Sequence, residues 1–583
     1  MKEILIVNLT RMGDLLQTTP LMAGLKEQYR DARITLLVSS RFAEICSGIP
    51  LIDDLIVFDM HGFRDRLMQK EHDLVGNYLF LKRLISRLNE KEYDLAINVT
   101  HSSVSALIIS LVHAREIRGF TIDSEGHRVI RHPWLKYFFN VVPNRDYNPF
   151  HLVDMYLKAG DVMPERKGLI YEVRDEDRVN AEEILLKEGI RNEDSLVGIH
   201  LGASKSDKTW PVSSFVEVAD MISREYHARV ILFGSSTEAD LGEKFTSAAN
   251  CKPVNLIGKT SLGELAALLK QCSVLISNDT GPLHLATAVG TTVVDIFTAN
   301  VHFLETSPYG EGHYVIQSDL PCVPCGFDVQ CNNMKCKDAI TPQIVCDTVK
   351  TVLNNKAGIS ANKFLMPEHV QIYRTYFREN GMLGFYPIKR KEITREILYR
   401  ILYRAVWDMD IHMSSNECEA ACNGICDELS SCCLLSRAWS IVCSLKEDAK
   451  ALARLNELAG QGLGIIDRIC EEAGRDAIEI NLLKELSDRL ESVDRELELA
   501  GHAYPCFRPL LVVFVFSREA LEGSGLSALA NSSKKIYEEL FFRSLKFLQV
   551  MKKIITFMES KSENEQEPRP ETIHETACRG CDR

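Results

Sequence analysis

Residues 4–29 read "ILIVNLTRMGDLLQTTPLMAGLKEQY". The opening run Ile4–Val7 has the length and branching of a strand buried on both faces. Leu21–Tyr29 then carries apolar residues at helical spacing. Between the two, Gly13 permits a tight turn, and Asp14 stands at the start of the helical segment. A strand, a glycine turn and a helix in this order make the first step of an open parallel sheet. Ligands of such sheets bind in the loops beyond the carboxyl ends of the strands. A carboxylate at this place can cap the helix or serve the loop mouth as a functional group; spacing alone favours the cap.

The same rhythm continues outward. Strands are expected at Ile34–Val38, Leu55–Phe58 and Leu95–Val99, with helical stretches such as Tyr78–Leu88 between them. It restarts near residue 195, with strands at Leu196–His200, Val230–Phe233, Val274–Ser277 and Thr292–Phe297 and helices at Ser213–Glu225 and Leu262–Gln271. "VVPNRDYNPFHLVDMYLKAG" (141–160) reads as the crossing between the halves. The expected organisation is α/β: an N-terminal Rossmann-like domain over 1–172, a second over 173–358, and a mostly helical, cysteine-rich extension over 359–583 with a polar, disordered tail. A chain of 583 residues is too long for one core.

Three further loops follow expected strands. "IHLGASKSDKTWP" (199–211) contains Gly202 and Ser204, and its Lys205 and Lys208 suit an anion; an ordinary polar surface loop is the plainer reading. "ILFGSSTEAD" (231–240) ends a strand at Gly234, where a flat ring or a ribose can approach the backbone, with Glu238 beyond. An ordinary strand-to-helix turn is equally consistent with it. "LISNDTGPLHLATAVG" (275–290) places Pro282 where a helix begins, so the amides of Thr280 and Gly281 point out of a positive helix end. Asp279 would repel a phosphate there but suits sugar hydroxyls. His284 lies on the first turn and is otherwise a satisfied core histidine.

Taken together, "ILIVNLTRMGDLLQTTPLMAGLKEQY", "YDLAIN", "GIHLGASKSDKTWP", the block "NLIGKTSLGELAALLKQCSVLISNDTGPLHLATAVGTTVVDIF" and "CVPC" resemble glycosyltransferase family 9, the bacterial lipopolysaccharide core heptosyltransferases, over about residues 1–350. The resemblance implies the GT-B architecture, two Rossmann-like domains facing across a cleft. It implies metal-independent, inverting transfer of a heptose from ADP-heptose to a hydroxyl of a lipid-linked oligosaccharide, with no cofactor. It makes Asp14 the base and places Lys208 beside the leaving diphosphate. Gly13, Gly202, Ser204, Gly234, Glu238, Asp279, Thr280, Gly281 and His284 become donor-side residues. Thr10 and Arg11 stand where the family often has small hydroxyl residues, and Arg11 is assigned to a phosphate of the acceptor. Three alternatives stay open: another donor or acceptor, a non-catalytic nucleotide-sugar-binding scaffold, and a sugar-nucleotide epimerase. A scaffold should have lost Asp14, Lys208 or the 279–281 triplet, and the chain keeps them all.

Other features carry weaker claims. The formal net charge of −13 argues against a general nucleic-acid partner. No apolar run reaches the roughly 18 residues of a membrane span, and the first residues lack a signal-peptide pattern. A cytoplasmic location is expected, peripheral to the inner membrane if the acceptor is a lipid. Eighteen cysteines are then thiols or metal ligands. Cys322, Cys325, Cys331 and Cys336 are a candidate metal set, with reduced thiols preferred. Cys418, Cys422 and Cys426 share one helix face, followed by Cys432 and Cys433; buried thiols are preferred there too. "EITREILYRILYRAV" (392–406) is a basic amphipathic helix that suits either an anionic membrane or, preferred, packing on the protein. "RHPWLKYFFNVVPNR" (131–145) is a second membrane candidate.

Overall fold

Ile4–Val7 is the centre of β1 (Glu3–Asn8), a strand with no solvent exposure from Ile4 to Asn8. It pairs in parallel with β2 (Arg33–Ser39) on one side and β4 (Leu95–Asn98) on the other. In the computed structural model, residues 1–60, 62–63, 65, 74–191, 193–326, 329, 331–356, 367, 369–409, 415–435, 438–523 and 525–564 are described. With β3 (Asp54–Phe58), β5 (Ile117–Ile122) and β6 (Arg128–Arg131), the first sheet has the order β3-β2-β1-β4-β5-β6. All its pairs are parallel except β5 with β6. The order reverses between β1 and β4, so the loop after β1 lies at the switch point where two crossovers diverge.

The second sheet repeats the plan. Its strands are β7 (Leu196–His200), β8 (Arg229–Phe233), β9 (Val254–Asn255), β10 (Val274–Asn278), β11 (Thr292–Phe297), β12 (Tyr314–Ser318), β13 (Val370–Phe377) and β14 (Leu383–Pro387). Their order is β14-β13-β12-β11-β10-β7-β8-β9, parallel through β12 and antiparallel at β13 and β14. Its switch point falls between β7 and β10. The two α/β halves expected from the sequence are therefore present, with every expected strand in place.

The second sheet runs past the expected boundary at 358. The hairpin β13–β14 turns at Asn380-Gly381, where Gly381 has φ +80° and Arg378 and Met382 close the ladder (2.9 Å). Asn-Gly between alternating apolar runs is a strong hairpin signal, and the helical rhythm that follows had masked it. Residues 1–389, with 516–522, form one compact unit, and residues 390–515 with 523 onward form another.

Within the second unit, the helices Ala438–Ala473 and Leu526–Asn564 run along each other, and Arg395–Asp408 packs on the latter. Leu398, Tyr399, Ile401, Leu402, Tyr403, Val406 and Trp407 are buried there. The apolar face of the basic helix is thus spent on protein, not left for lipid. Arg395 grips both oxygens of buried Asp448 at 2.7 Å, and the Tyr399 hydroxyl donates to the same carboxylate at 2.7 Å. Cys422 and Cys433 are buried thiols; the side chain of Cys418 and all of Cys578 and Cys581 lie outside the described residues, as does the polar tail from 565. No single described helix is long and apolar enough to cross a membrane; one bent pair, Ile480–Ala503 with Pro505–Glu519, passes by length and composition alone.

The two sheets of the first unit share a continuous core. Leu15, Leu16, Leu21 and Met22 from the first half join Leu265, Leu283, Leu285 and Val293 from the second in one buried cluster. Asp154, on the crossing helix Leu152–Ala159, adds a polar bolt: it accepts the Tyr309 hydroxyl (2.8 Å) and the Leu383 amide (3.3 Å). Burial pushes its carboxyl up to about 7, against the pull of these bonds and of the Arg378 and Lys158 charges. The folded protein therefore holds a proton that the unfolded chain releases near pH 4. The associated stability is complete below about pH 4 and is lost as pH rises through 7. Thermal melts from pH 4 to 8 should show this decline in the unmodified chain and a flatter profile in Asp154→Asn; identical profiles would place the titration elsewhere.

Candidate active site

Three loops meet at the carboxyl ends of the two switch points. The first leaves β1 and enters the short helix Met12–Gln17, in which Asp14 is the third residue. Asp14 Oδ2 accepts the Arg11 amide at 3.3 Å, so the capping role is real. Burial raises the Asp14 carboxyl above its ordinary range, although the Arg11 amide, the Thr10 hydroxyl and the Arg11 charge pull it down. Asn8, the last residue of β1, shapes this loop: its amide nitrogen donates to Asp14 O (3.2 Å) and Thr18 Oγ1 (2.7 Å), and its oxygen accepts the Thr10 amide (3.1 Å).

The second loop leaves β7 and carries Lys208 in a single turn, Ser206–Lys208. The third leaves β10 and opens the helix Gly281–Ala288, with Thr280 as its N-cap and Pro282 in the first turn. Asn278 ties these two loops together. Its nitrogen donates to Leu201 O (2.9 Å) and Gly202 O (3.2 Å), and its oxygen accepts the Trp210 amide (2.9 Å), gripping the Lys208 loop at both ends. Trp210 is fully buried and donates Nε1–H to Ile340 O (3.0 Å). Neither Asn8 nor Asn278 is among the site residues read from the sequence. The signal was nevertheless present: β1, β4 and β10 all end on asparagine, and Asn98 likewise bonds the Thr100 amide (3.0 Å) and Phe120 O (2.8 Å). An amide side chain suits a strand end because it can both donate to and accept from a turning backbone.

Lys208 Nζ stands 3.9 Å from Asp279 Oδ2, and both side chains are mostly covered (16% and 13% exposed). Burial pushes Asp279 up to about 6; Lys208, the Thr306 hydroxyl and Arg11 oppose this, while the Asp14 charge adds to it. The Asp14 charge thus acts on Asp279 across the two halves, and the Arg11 charge acts on both. His284 is buried and held neutral, its value pushed down to about 3 by desolvation and by nearby His151. Its Nδ1 lies 3.5 Å from Gln17 Nε2.

The closeness of the halves depends on two glycines. A Cβ on Gly13 would lie 2.6 Å from His284 Cδ2, and one on Gly281 would lie 2.5 Å from Met12 Cε. Each helix start leaves room for a side chain of the other. A third glycine, Gly202, leaves room for Glu238, whose Oε1 would overlap a Cβ at 1.4 Å. Glu238 Oε2 accepts the Ser235 amide (2.7 Å) and hydroxyl (2.9 Å), and Oε1 faces His200 Nε2 at 3.7 Å. A Cβ on Gly234 would lie 3.0 Å from Oε2 of the same carboxylate. Ser204 is exposed on the Lys208 loop and is not drawn into this network.

For the cysteine loop, reduced thiols are the preferred reading and a metal set is the alternative. Burial raises the Cys325 thiol above its ordinary value, and Cys322, Cys336 and Cys331 add to the rise. Yet no group of three His, Cys, Asp or Glu side chains among the described residues is placed to hold a metal ion. The loop instead braces the site: Lys337 Nζ donates to Ser206 O at 3.0 Å, beside Lys208.

Against known proteins, residues 81–337 match the family model "Glycosyltransferase family 9 (heptosyltransferase)". Lipopolysaccharide heptosyltransferase 3 of Escherichia coli is 28% identical over 298 residues, 50% of this chain and 82% of that protein. Lipopolysaccharide core heptosyltransferase OpsX of Haemophilus influenzae is 26% identical over 316 residues, 53% and 82% respectively. The solved ADP-heptose lipopolysaccharide heptosyltransferase II of Escherichia coli aligns over 61% of this chain and all of that one, at 20% identity and a TM-score of 0.45.

The glycine contact yields a direct test. Alanine at Gly13 must displace buried His284, which should cost about 1–3 kcal/mol. Alanine at Gly464, a helical position with open space around it, should be neutral or stabilising by up to about 1 kcal/mol. Urea melts should show Gly13→Ala destabilised and Gly464→Ala unchanged or stabilised; a neutral Gly13→Ala would mean the two helices are not held this close. Residues 81–337, which carry Lys208, Asp279 and the start of the Gly281 helix, are thus a glycosyltransferase family 9 (heptosyltransferase)-like stretch by the family model they match.

Proposed function

We propose that the protein moves a heptose from ADP-heptose to a hydroxyl of a lipopolysaccharide-core or other lipid-linked oligosaccharide, with inversion at the anomeric carbon. The observation that carries this reading is the convergence of Asp14 from one sheet with Lys208, Asp279 and the Gly281 helix start from the other.

The chemistry follows from the placement. Inversion by one displacement needs a base on the acceptor side and charge stabilisation on the leaving-group side. Asp14 is the acceptor-side carboxylate. Its burial makes it a stronger base than a free aspartate. The attacking hydroxyl sheds its proton late, as the sugar becomes oxocarbenium-like, so a carboxylate suffices. On the far side, Lys208 and the positive N-terminal end of the Gly281 helix meet the departing diphosphate. Asp279, one residue before that helix's cap, is suited to hold sugar hydroxyls, and its partial neutralisation near pH 6 lessens repulsion of the phosphates. Glu238, fixed above Gly202 by Ser235, offers Oε1 to a ribose hydroxyl. Arg11, exposed at the mouth, is free to meet an anionic group of the acceptor.

A lipid-linked acceptor would bring the enzyme to the cytoplasmic face of the inner membrane. The helix Pro133–Val141, with Trp134, Phe138 and Phe139 half-buried, is the better candidate for that contact, since the helix Arg395–Asp408 is committed to packing.

Asp14→Asn keeps shape and removes the base. Turnover should fall at least about 100-fold, on the scale of lost general-base catalysis, while donor affinity stays within about twofold. Turnover that survives would leave Asp14 as a cap alone. Donor identity is read by a thermal-shift screen, in which ADP-heptose should stabilise the protein more than UDP- or GDP-sugars. Equal or greater stabilisation by another nucleotide sugar would reassign the donor. The unmodified chain's acid limb should lie above that of a free aspartate, because the base must be deprotonated and burial raises its carboxyl.

A further inference from the structure

The loop that carries Lys208 is anchored at both ends by Asn278, which takes Leu201 O and Gly202 O on one side and the Trp210 amide on the other. Between these ends the turn Ser206–Lys208 closes on itself. The Lys208 amide donates to Lys205 O (3.1 Å) and the Thr209 amide to Ser206 O (3.2 Å). Two further bonds reach this loop from the segment that follows the cysteines. Lys337 Nζ donates to Ser206 O at 3.0 Å, across 131 positions of sequence, and Trp210 Nε1 donates to Ile340 O at 3.0 Å. Lys208 lies two positions from each of the bonded residues, Ser206 and Trp210.

One short helix can reach both places. Lys337 lies on the helix Lys335–Ala339 and Ile340 at its end, three residues apart and so on neighbouring turns of one side. Cys336 and Ile340 are buried, and Ile340 shares an apolar cluster with Trp210, Phe215 and Ile344. The helix is therefore seated on the core of the second half, a fixed point against which a surface loop can be held. Burial lowers the Lys337 ammonium below its ordinary range, against the pull of Cys336, Asp207 and Asp338, so the amine leans onto the protein. Ser206 is exposed, and water would satisfy its carbonyl without Lys337. The bond thus adds little to folding, and its effect is on where the turn sits. From that turn Lys208 Nζ reaches within 3.9 Å of Asp279 Oδ2.

We propose that Lys337 is a positioning residue for the transfer reaction, holding the Ser206–Lys208 turn so that the Lys208 ammonium stays at the diphosphate end of the donor. It touches neither substrate nor the reacting atoms; it acts through the Ser206 carbonyl. A cation that stabilises charge developing on a leaving group works from a fixed place, and a displacement of about 1 Å is enough to cost rate. The inference rests on the glycosyl-transfer reading for its kinetic part only.

The test uses the full chain in three forms: unmodified, Lys337→Met and Lys337→Arg. Hydrogen exchange, which requires no substrate, reads the turn directly. In Lys337→Met the amides of 205–209 should exchange at least about fivefold faster, while the Trp210 amide, held by Asn278, is unchanged. Lys337→Arg keeps a donor and should stay within about twofold of the unmodified chain. Unchanged exchange at 205–209 in Lys337→Met would overturn the proposal. In the transfer assay with ADP-heptose, kcat of Lys337→Met should fall at least about tenfold, with acceptor KM within about twofold. Its melting temperature should stay within about 2 °C, and Lys337→Arg should recover most of the rate. A kcat within about twofold of the unmodified value would overturn the proposal, as would a loss that comes with a lowered melting temperature and no rescue by arginine. If the unmodified chain transfers nothing from ADP-heptose, the donor reading has failed by itself, and exchange at 205–209 still decides whether Lys337 holds the turn.

Discussion

The site depends on how closely two helix starts approach each other. The Met12 and Gly281 helices come from different sheets, and each opens with a glycine under a side chain of the other. A methyl group at Gly13 would press on the buried ring of His284, and one at Gly281 on the flexible end of Met12. The electrostatic coupling of Asp14 with Asp279 exists only because this gap is closed. The buried leucines around it supply the driving force, since Leu15 and Leu16 share one apolar cluster with Leu283 and Leu285. The apolar contact sets the distance, and the charges then have to live with it.

They do so by giving up some charge. Asp14, Asp279 and Asp295 are all pushed upward by burial, and Asp295, fully buried on β11, is pushed well above the ordinary carboxylate range with Asp279 adding to the effect. Facing them are Lys208, Arg11 and the amides of one helix end. Three ionised carboxylates beside an incoming diphosphate would be prohibitive. A site that holds part of its acid neutral can admit an anion and still retain one base. Neutral His284 and His151 follow the same rule, because a buried imidazolium beside another would be costly.

The supporting loops divide the labour by chemistry. Asparagines at strand ends set loop backbones, because an amide both donates and accepts. Charge pairs and buried tyrosine–carboxylate bonds join the halves on the crossing side. The helical unit is built on similar lines, with Arg395 and Tyr399 meeting at Asp448. It lies outside the length matched by the family model.

Much of this was legible in the amino-acid order. Every strand expected from an apolar run is present, because a strand buried on both faces needs side chains that are apolar throughout. The loops after those strands were legible too, since glycine, proline and asparagine mark turns through backbone preferences that act locally. The strands β5, β6, β9 and β12 were not, because partners decide short strands as much as their own residues do; the β13–β14 hairpin carried its Asn380-Gly381 signal but lies beyond the boundary expected at 358. Nor could residue order show that the basic helix at 395–408 spends its apolar face on a neighbouring helix. Above all, the meeting of Asp14 with Asp279, separated by 265 positions, and the ion pair of Arg145 with Glu305 belong to the tertiary structure alone. Local preferences reach a few residues along the chain, whereas these contacts arise only once two sheets have been pressed together by the apolar surface between them.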